Sequence, residues 1–105
     1  MPAQDAVFRA LADPTRRAIL ERLMRKERSV SALVEKLDVS QPAVSQHLAA
    51  LKEAGLVAVR REGRFVYYRA QPSGLLPLVR WIEHYQAFWG DRLGKLRVLI
   101  EEMDE

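Results

Sequence analysis

The chain has 105 residues, 49% apolar and 30% charged, with no cysteine; that allows one domain with a modest core and excludes disulfides, thiol catalysis and thiolate metal sites. No apolar run approaches the ~20 residues of a membrane span, and the opening "MPAQDAVFRALADP" lacks the basic start and apolar run of a signal peptide, so the expected location is the cytoplasm, with no membrane partner. The formal charge of +3 is unevenly placed: residues 1–72 hold 13 Lys/Arg against 8 Asp/Glu, and residues 73–105 hold 4 against 6, which fits a polyanion-binding face beside an acidic-leaning element.

Residues 4–12, "QDAVFRALA", are apolar nearly all round and predict a short helix buried on several sides. In "DPTRRAILERLMRKE", Asp13 is a natural N-cap and Pro14 sits at the first helical position, where proline is tolerated. Ala18, Ile19, Leu20, Leu23 and Met24 supply the inward stripe of this second helix, and Arg16, Arg17, Arg22 and Arg25 leave its other faces positive. "SVSALVEKLDVS" follows, with Ser31 as the expected N-cap and Leu33, Val34 and Leu37 as the apolar face. "DVS" is a tight break, and Ser40 caps the next helix. A short helix, a turn and a second helix make a helix-turn-helix.

That second helix, 41–53, divides cleanly on a helical wheel. Val44, Leu48 and Leu51 define the core side; Pro42, Gln46, Ala49 and Glu53 lie opposite, flanked by Gln41, Ser45 and Lys52. Gln41, Ser45 and Gln46 are of the types that read base edges in the major groove, and Pro42 could touch a thymine methyl. Taken alone, the helix fits a merely solvated polar face equally well. His47, at the edge of the core face, reads as a hydrogen-bonded packing histidine, and His84 as a solvated one.

After Gly55, a good helix stop, the period changes to two. Strands are expected at 56–61 and 64–70 around "EG", an acidic-Gly hairpin signal. A two-stranded hairpin is unstable alone, so its base must pack on the helices while its tip reaches outward as a wing. Arg60, Arg61 and Arg64 crowd that tip and suit phosphate contacts, as do Lys52 and the start of the second helix, Thr15 and Arg17. One arginine of the Arg16–Arg17 pair could instead pair internally with Glu21 or Glu53.

"QPSG" is the one evident joint, giving a core at 4–72 and an arm at 73–105 within one domain. Beyond it, Leu75, Leu78, Ile82, Tyr85, Trp89, Leu93, Leu96, Ile100 and Met103 form a coiled-coil-like stripe, widened by Trp81, Phe88 and Leu99. A continuous helix over 75–103 would span about 43 Å. So much apolar surface asks for a partner helix from a second subunit. Gly90 and Gly94 could mark a bend or a close helix approach. The fold class is thus mainly α with a small β-hairpin wing: a winged helix-turn-helix with a long C-terminal dimerisation helix.

"FRALADPTRRAILERL", "SVSALVEKLDVSQPAVSQHLAALKEAGLV" and "RREGRFVYYRA" together resemble the ArsR-type winged helix-turn-helix repressors over most of residues 8–70. The tail "HYQAFWGDRLGKLRVLIEEM" is similar to a subset of that family. The resemblance implies a homodimer built by the first and last helices, here Val7 and Leu11 with Leu78, Ile82, Tyr85, Trp89, Leu93 and Leu96. It also implies two recognition helices entering successive major grooves of double-stranded DNA at an inverted repeat, and repression of promoters. Many members release DNA on metal binding, but this sequence departs from them. Their "C-V-C" motif falls on Ser29-Val30-Ser31, and serine does not replace thiolate for soft metals. The family's second metal site, along the last helix, would have only Glu83, His84 and Asp91.

The expected function is therefore a homodimeric DNA-binding repressor with no metal and no cofactor, its small-molecule effector open. A protein-interaction winged helix is one alternative, with the apolar stripe as its docking face. A small-molecule sensor with a pocket among Trp81, Tyr85, Phe88 and Trp89 is another. An enzyme is not expected: there is no Gly-rich phosphate loop, and Ser45 and His47 point about 200° apart on their helix.

Overall fold

A computed structural model describes residues 3–90 and 92–103. In chain order the elements are α1 (Ala3–Leu11), α2 (Pro14–Arg25), α3 (Val30–Lys36), α4 (Gln41–Glu53), β1 (Val57–Glu62), β2 (Phe65–Ala70), a 3₁₀ turn (Pro72–Leu75), α5 (Leu76–Trp89) and α6 (Arg92–Met103). This is the expected winged helix-turn-helix: α3 and α4 are the helix-turn-helix pair, and β1–β2 is the wing.

Short polar side chains set the helix starts. Asp13 accepts from the backbone N–H groups of Thr15 and Arg16 at 2.8 and 3.2 Å, and Ser40 accepts from Ala43 at 3.3 Å. Both caps stand where the sequence put them. The α3 cap does not: Ser29, rather than Ser31, accepts from the Ala32 N–H. The helix starts at Val30, so Ser31 already lies inside it, its hydroxyl 3.2 Å from that of Ser29. Either serine fits the local pattern, and the one that lies just before the first helical residue takes the cap.

The buried core is built by Val7 and Ala10 of α1, Ile19, Leu20 and Leu23 of α2, Leu33 of α3, Val44, Leu48 and Leu51 of α4, and Leu56 and Val57 at the foot of the wing. All three α4 positions are those expected. Met24 is not part of the core and is 49% exposed. It lies about 90° from the centre of the Ile19–Leu20–Leu23 face, at 3.6 residues per turn.

The wing is an antiparallel pair in which Val59 faces Tyr68, Arg60 faces Tyr67, and Glu62 faces Phe65. The strands are shifted by one residue from expectation at the tip, and the two-residue loop is Gly63–Arg64 rather than Glu62–Gly63. Gly63 has φ +61 while Arg64 does not enter the positive region. Glycine at the first loop position is the pattern of a II′ hairpin turn. At the foot, Arg28 of the α2–α3 link adds a third-strand bridge, exchanging backbone hydrogen bonds of 2.9 and 2.8 Å with Tyr68.

The arm is not one helix. Gly90, at φ +49 and ψ −128, ends α5, and α6 resumes at Arg92. Only glycine adopts such a backbone without strain, so the bend reading of this residue holds. Asp91 lies outside the described residues. Gly94 sits inside α6, and a Cβ built on it would meet nothing within 4 Å. Among the described residues, no helix is long and apolar enough to cross a membrane.

Candidate nucleic-acid interface

The exposed side of α4 carries Gln41, Pro42, Ser45 and Gln46 together, all solvent-facing, while Val44, Leu48 and Leu51 beneath them are fully buried. The helix therefore offers a polar N-terminal half backed by a rigid apolar floor. His47, between the two faces, is half-buried and its Nδ1 accepts from Arg16 Nε at 3.2 Å. This is the packing role expected of it, and it ties α4 to the start of α2.

The start of α2 is more tightly organised than the sequence suggested. Arg16 also donates to the Arg9 carbonyl at 3.4 Å, and Arg17 to the Leu11 carbonyl at 2.5 Å. Neither pairs with Glu21 or Glu53; carbonyls of the last turn of α1, six and seven residues back in the chain, take that place. Arg17 remains exposed and Thr15 half-buried. The N–H groups of Arg16 and Thr15 hold the Asp13 carboxyl below its ordinary value, helped by the charge of Arg16.

The three wing arginines divide. Arg61 and Arg64 are exposed, and among the described residues neither has an ion-pair partner. Lys52, exposed on α4, borders the same shallow cavity as Arg61. Arg60 is engaged: it forms ion pairs with Glu27 at 2.6 Å and Glu62 at 2.5 Å, and its guanidinium lies 4.8 Å from the Tyr67 ring centre. Hydrogen bonding to Arg60 holds the Glu27 carboxyl below its usual range, and the two carboxylates raise the Arg60 pKa. The sequence grouped Arg60 with the phosphate contacts; it gave no sign of Glu27, which lies 33 residues away in the chain.

The expected dimer residues also separate. Val7 is 1% exposed, its surface spent within its own chain, so it belongs to the core rather than to an outer face. Leu11 and Leu78 are half-buried against that core. Ile82, Tyr85 and Leu96 are open on the arm, accompanied by Phe8, Val79, Trp81 and Phe88. The side chains of Trp89 and Leu93 lie outside the described ones. Phe8 meets Trp81 edge-on at 5.3 Å, and Trp81 lies 4.7 Å from Tyr85. A cavity of about 330 Å³ is bordered by Trp81 and Tyr85 with Gln4, Arg80 and His84, and Phe88 is not among its walls.

A helix-turn-helix whose second helix exposes amides, beside a basic wing, is the layout of a DNA-binding regulator. Residues 13–59 match the family described as bacterial regulatory protein, arsR family. The chain is 50% identical over 97 residues to the HTH-type transcriptional regulator Rv2034 of Mycobacterium tuberculosis, covering 92% of this chain and 88% of that protein. It is 34% identical over 79 residues to the transcriptional repressor SdpR of Bacillus subtilis, covering 75% and 88%. An ArsR-like transcriptional regulator from Rhodococcus sp. RHA1 superposes with a TM-score of 0.76 at 38% identity, covering 92% of each chain. The protein belongs to the arsR family of DNA-binding transcriptional regulators.

Proposed function

We propose that the protein is a homodimeric repressor that binds an inverted repeat in promoter DNA and does not answer to metal. Gln41, Pro42, Ser45 and Gln46 read bases in the major groove, and Thr15, Arg17, Lys52, Arg61 and Arg64 hold phosphates. The observation that carries this reading is the exposed polar half of α4 set beside an arginine-tipped hairpin. The dimer is supported by surface area. The chain exposes 7835 Å², against roughly 6,000 Å² for a compact protein of its mass. The excess exceeds the ~800 Å² that each partner contributes to a standard interface, and the arm's apolar side chains supply much of it. Against a metal response stand Ser29 and Ser31, whose hydroxyls lack the charge and softness of thiolate.

Fluorescence anisotropy with a labelled duplex from the protein's own promoter tests the reading at about 0.15 M salt, where non-specific attraction is screened. Tighter binding than to a scrambled duplex is expected. Equal affinities would sink sequence-specific recognition.

A further inference from the structure

Arg60 lies in the part of the wing that the proposed function sets against DNA, yet its nitrogens are already occupied. Nε lies 3.1 Å from both carboxylate oxygens of Glu27, Nη2 lies 2.6 Å from Glu27 Oε1, and Nη1 donates to Glu62 Oε2. Two carboxylates flank this one guanidinium, and the nearby Arg69 also acts on Glu27, so the cluster is close to neutral and attracts a phosphate less than a free arginine would. The flat side of the guanidinium is covered as well, by Tyr67, its cross-strand neighbour. A DNA phosphate that took the Nε edge of this arginine would have to displace Glu27.

Glu27 is placed to do something else. It belongs to the link between α2 and α3, next to Arg28, whose backbone bridges Tyr68. The bridge fixes the foot of the wing, and the Glu27–Arg60 pair fixes it one residue pair further out. Arg61, Gly63 and Arg64 lie beyond both fixings. We propose that Arg60 is a positioning residue that sets the angle of the wing through Glu27, leaving phosphate contact to Arg61 and Arg64. The arginine-rich tip is thus split into a strut and two reaching groups. This rests on the reading of the wing as a DNA contact.

The sign of one substitution separates the two roles. If Arg60 holds phosphate, Glu27 competes with DNA for it, and Glu27→Gln tightens binding. If Arg60 is the strut, Glu27→Gln weakens binding even though it removes a negative charge near the polyanion. Anisotropy titrations with the full chain, on a duplex obtained by in vitro site selection, are run across a salt series. Glu27→Gln and Arg60→Gln are each expected to weaken binding about threefold, the scale of an exposed, well-formed ion pair. The double variant should lose no more than either single one. The slope of log affinity on log salt should stay unchanged for all three, whereas Arg64→Gln lowers it by about 0.9, one phosphate's worth. Arg64→Gln should also cost less in the Arg60→Gln background, because an unpinned wing seats its tip less often. Tighter binding by Glu27→Gln, or a reduced slope for Arg60→Gln, overturns the proposal while Arg64→Gln still weakens binding. If Arg61→Gln and Arg64→Gln both leave affinity and slope unchanged, the wing does not touch DNA, and the proposal falls with that reading.

Discussion

The Asp13 carboxylate sits at a junction of three jobs: it caps α2, lies beside Arg16, and through Arg16 is linked to His47 on α4. Its pKa in the folded chain is below the ordinary 3.8. Stability from this carboxylate is therefore fully present above the unfolded value and is lost as pH falls through the folded one. Asp13→Asn keeps the capping geometry without the charge, so its urea midpoint should fall less between pH 5 and pH 2 than the parent's does. The same sign applies to Glu27, whose pair with Arg60 weakens on acidification. Two further substitutions separate reading from holding. Gln46→Ala should erase about 1–3 kcal/mol of discrimination at one base pair, measured by competition between duplexes that differ at that position. Arg64→Ala should instead weaken all duplexes alike. At this scale the sequence was most legible where partners are close in the chain. Asp13 and Ser40 cap helices that begin at the next residue, so the signal is local. The Glu27–Arg60 pair bridges 33 residues, and nothing in either neighbourhood announces the other.

The elements followed their periodicity, and their ends followed backbone geometry. The core face of α4 and the alternation of the wing strands were readable because burial repeats every 3.6 or 2 residues. The hairpin loop slipped by one because Gly63 must take the first loop position to use its positive φ, and an acidic-Gly pair marks a turn without fixing which residue opens it. The arm's stripe continues across Gly90 in sequence, so periodicity alone could not show the break; the φ of that residue does. Gly74 is a third case. It lies in the "QPSG" joint, and there the structure adds a close approach: a Cβ on Gly74 would collide with the carbonyl of Gly55. Because the obstacle is backbone, Gly74→Ala should destabilise the fold by about 1–3 kcal/mol, the scale of overpacking, measured by urea unfolding. A midpoint equal to the parent's would show that the turn yields freely.

The chain as a whole is longer than a compact one. Its radius of gyration is 16.8 Å and its longest extent 52 Å, against about 13 Å for the radius of a compact domain of this length. The difference lies in the arm, where Leu96, Val98, Leu99, Ile100 and Met103 of α6 are all about half or more exposed. The charge imbalance has the same division, with the basic excess in the winged core and the acidic lean in the arm. If the arm joins two copies, Ile82→Asp should turn a dimer into a monomer in sedimentation velocity. Operator affinity should then fall by about a hundredfold, since two linked half-sites gain avidity that one lacks. A variant that stays dimeric would remove Ile82 from the interface. The sequence reads this surface as one for a partner helix but does not reveal how much of it the core itself covers, because burial of Val7 and Leu78 depends on how α1 and α5 cross.

The contact between Gly74 and Gly55 links these scales. Gly55 is where the chain leaves α4, and Gly74 is where the arm begins; the Gln71 N–H adds a 2.8 Å hydrogen bond to the Leu56 carbonyl at the same place. At this point the winged core and the arm meet backbone to backbone, with no side chain between Gly74 and Gly55 to act as a cushion, while α1 and α5 brace the arm elsewhere. In the proposed dimer, the gap between two winged cores is set by how each arm leaves that contact, as the opening of a pair of callipers is set at its pivot. An operator with its half-sites one base pair closer or further apart should then be rejected without any change in the bases themselves.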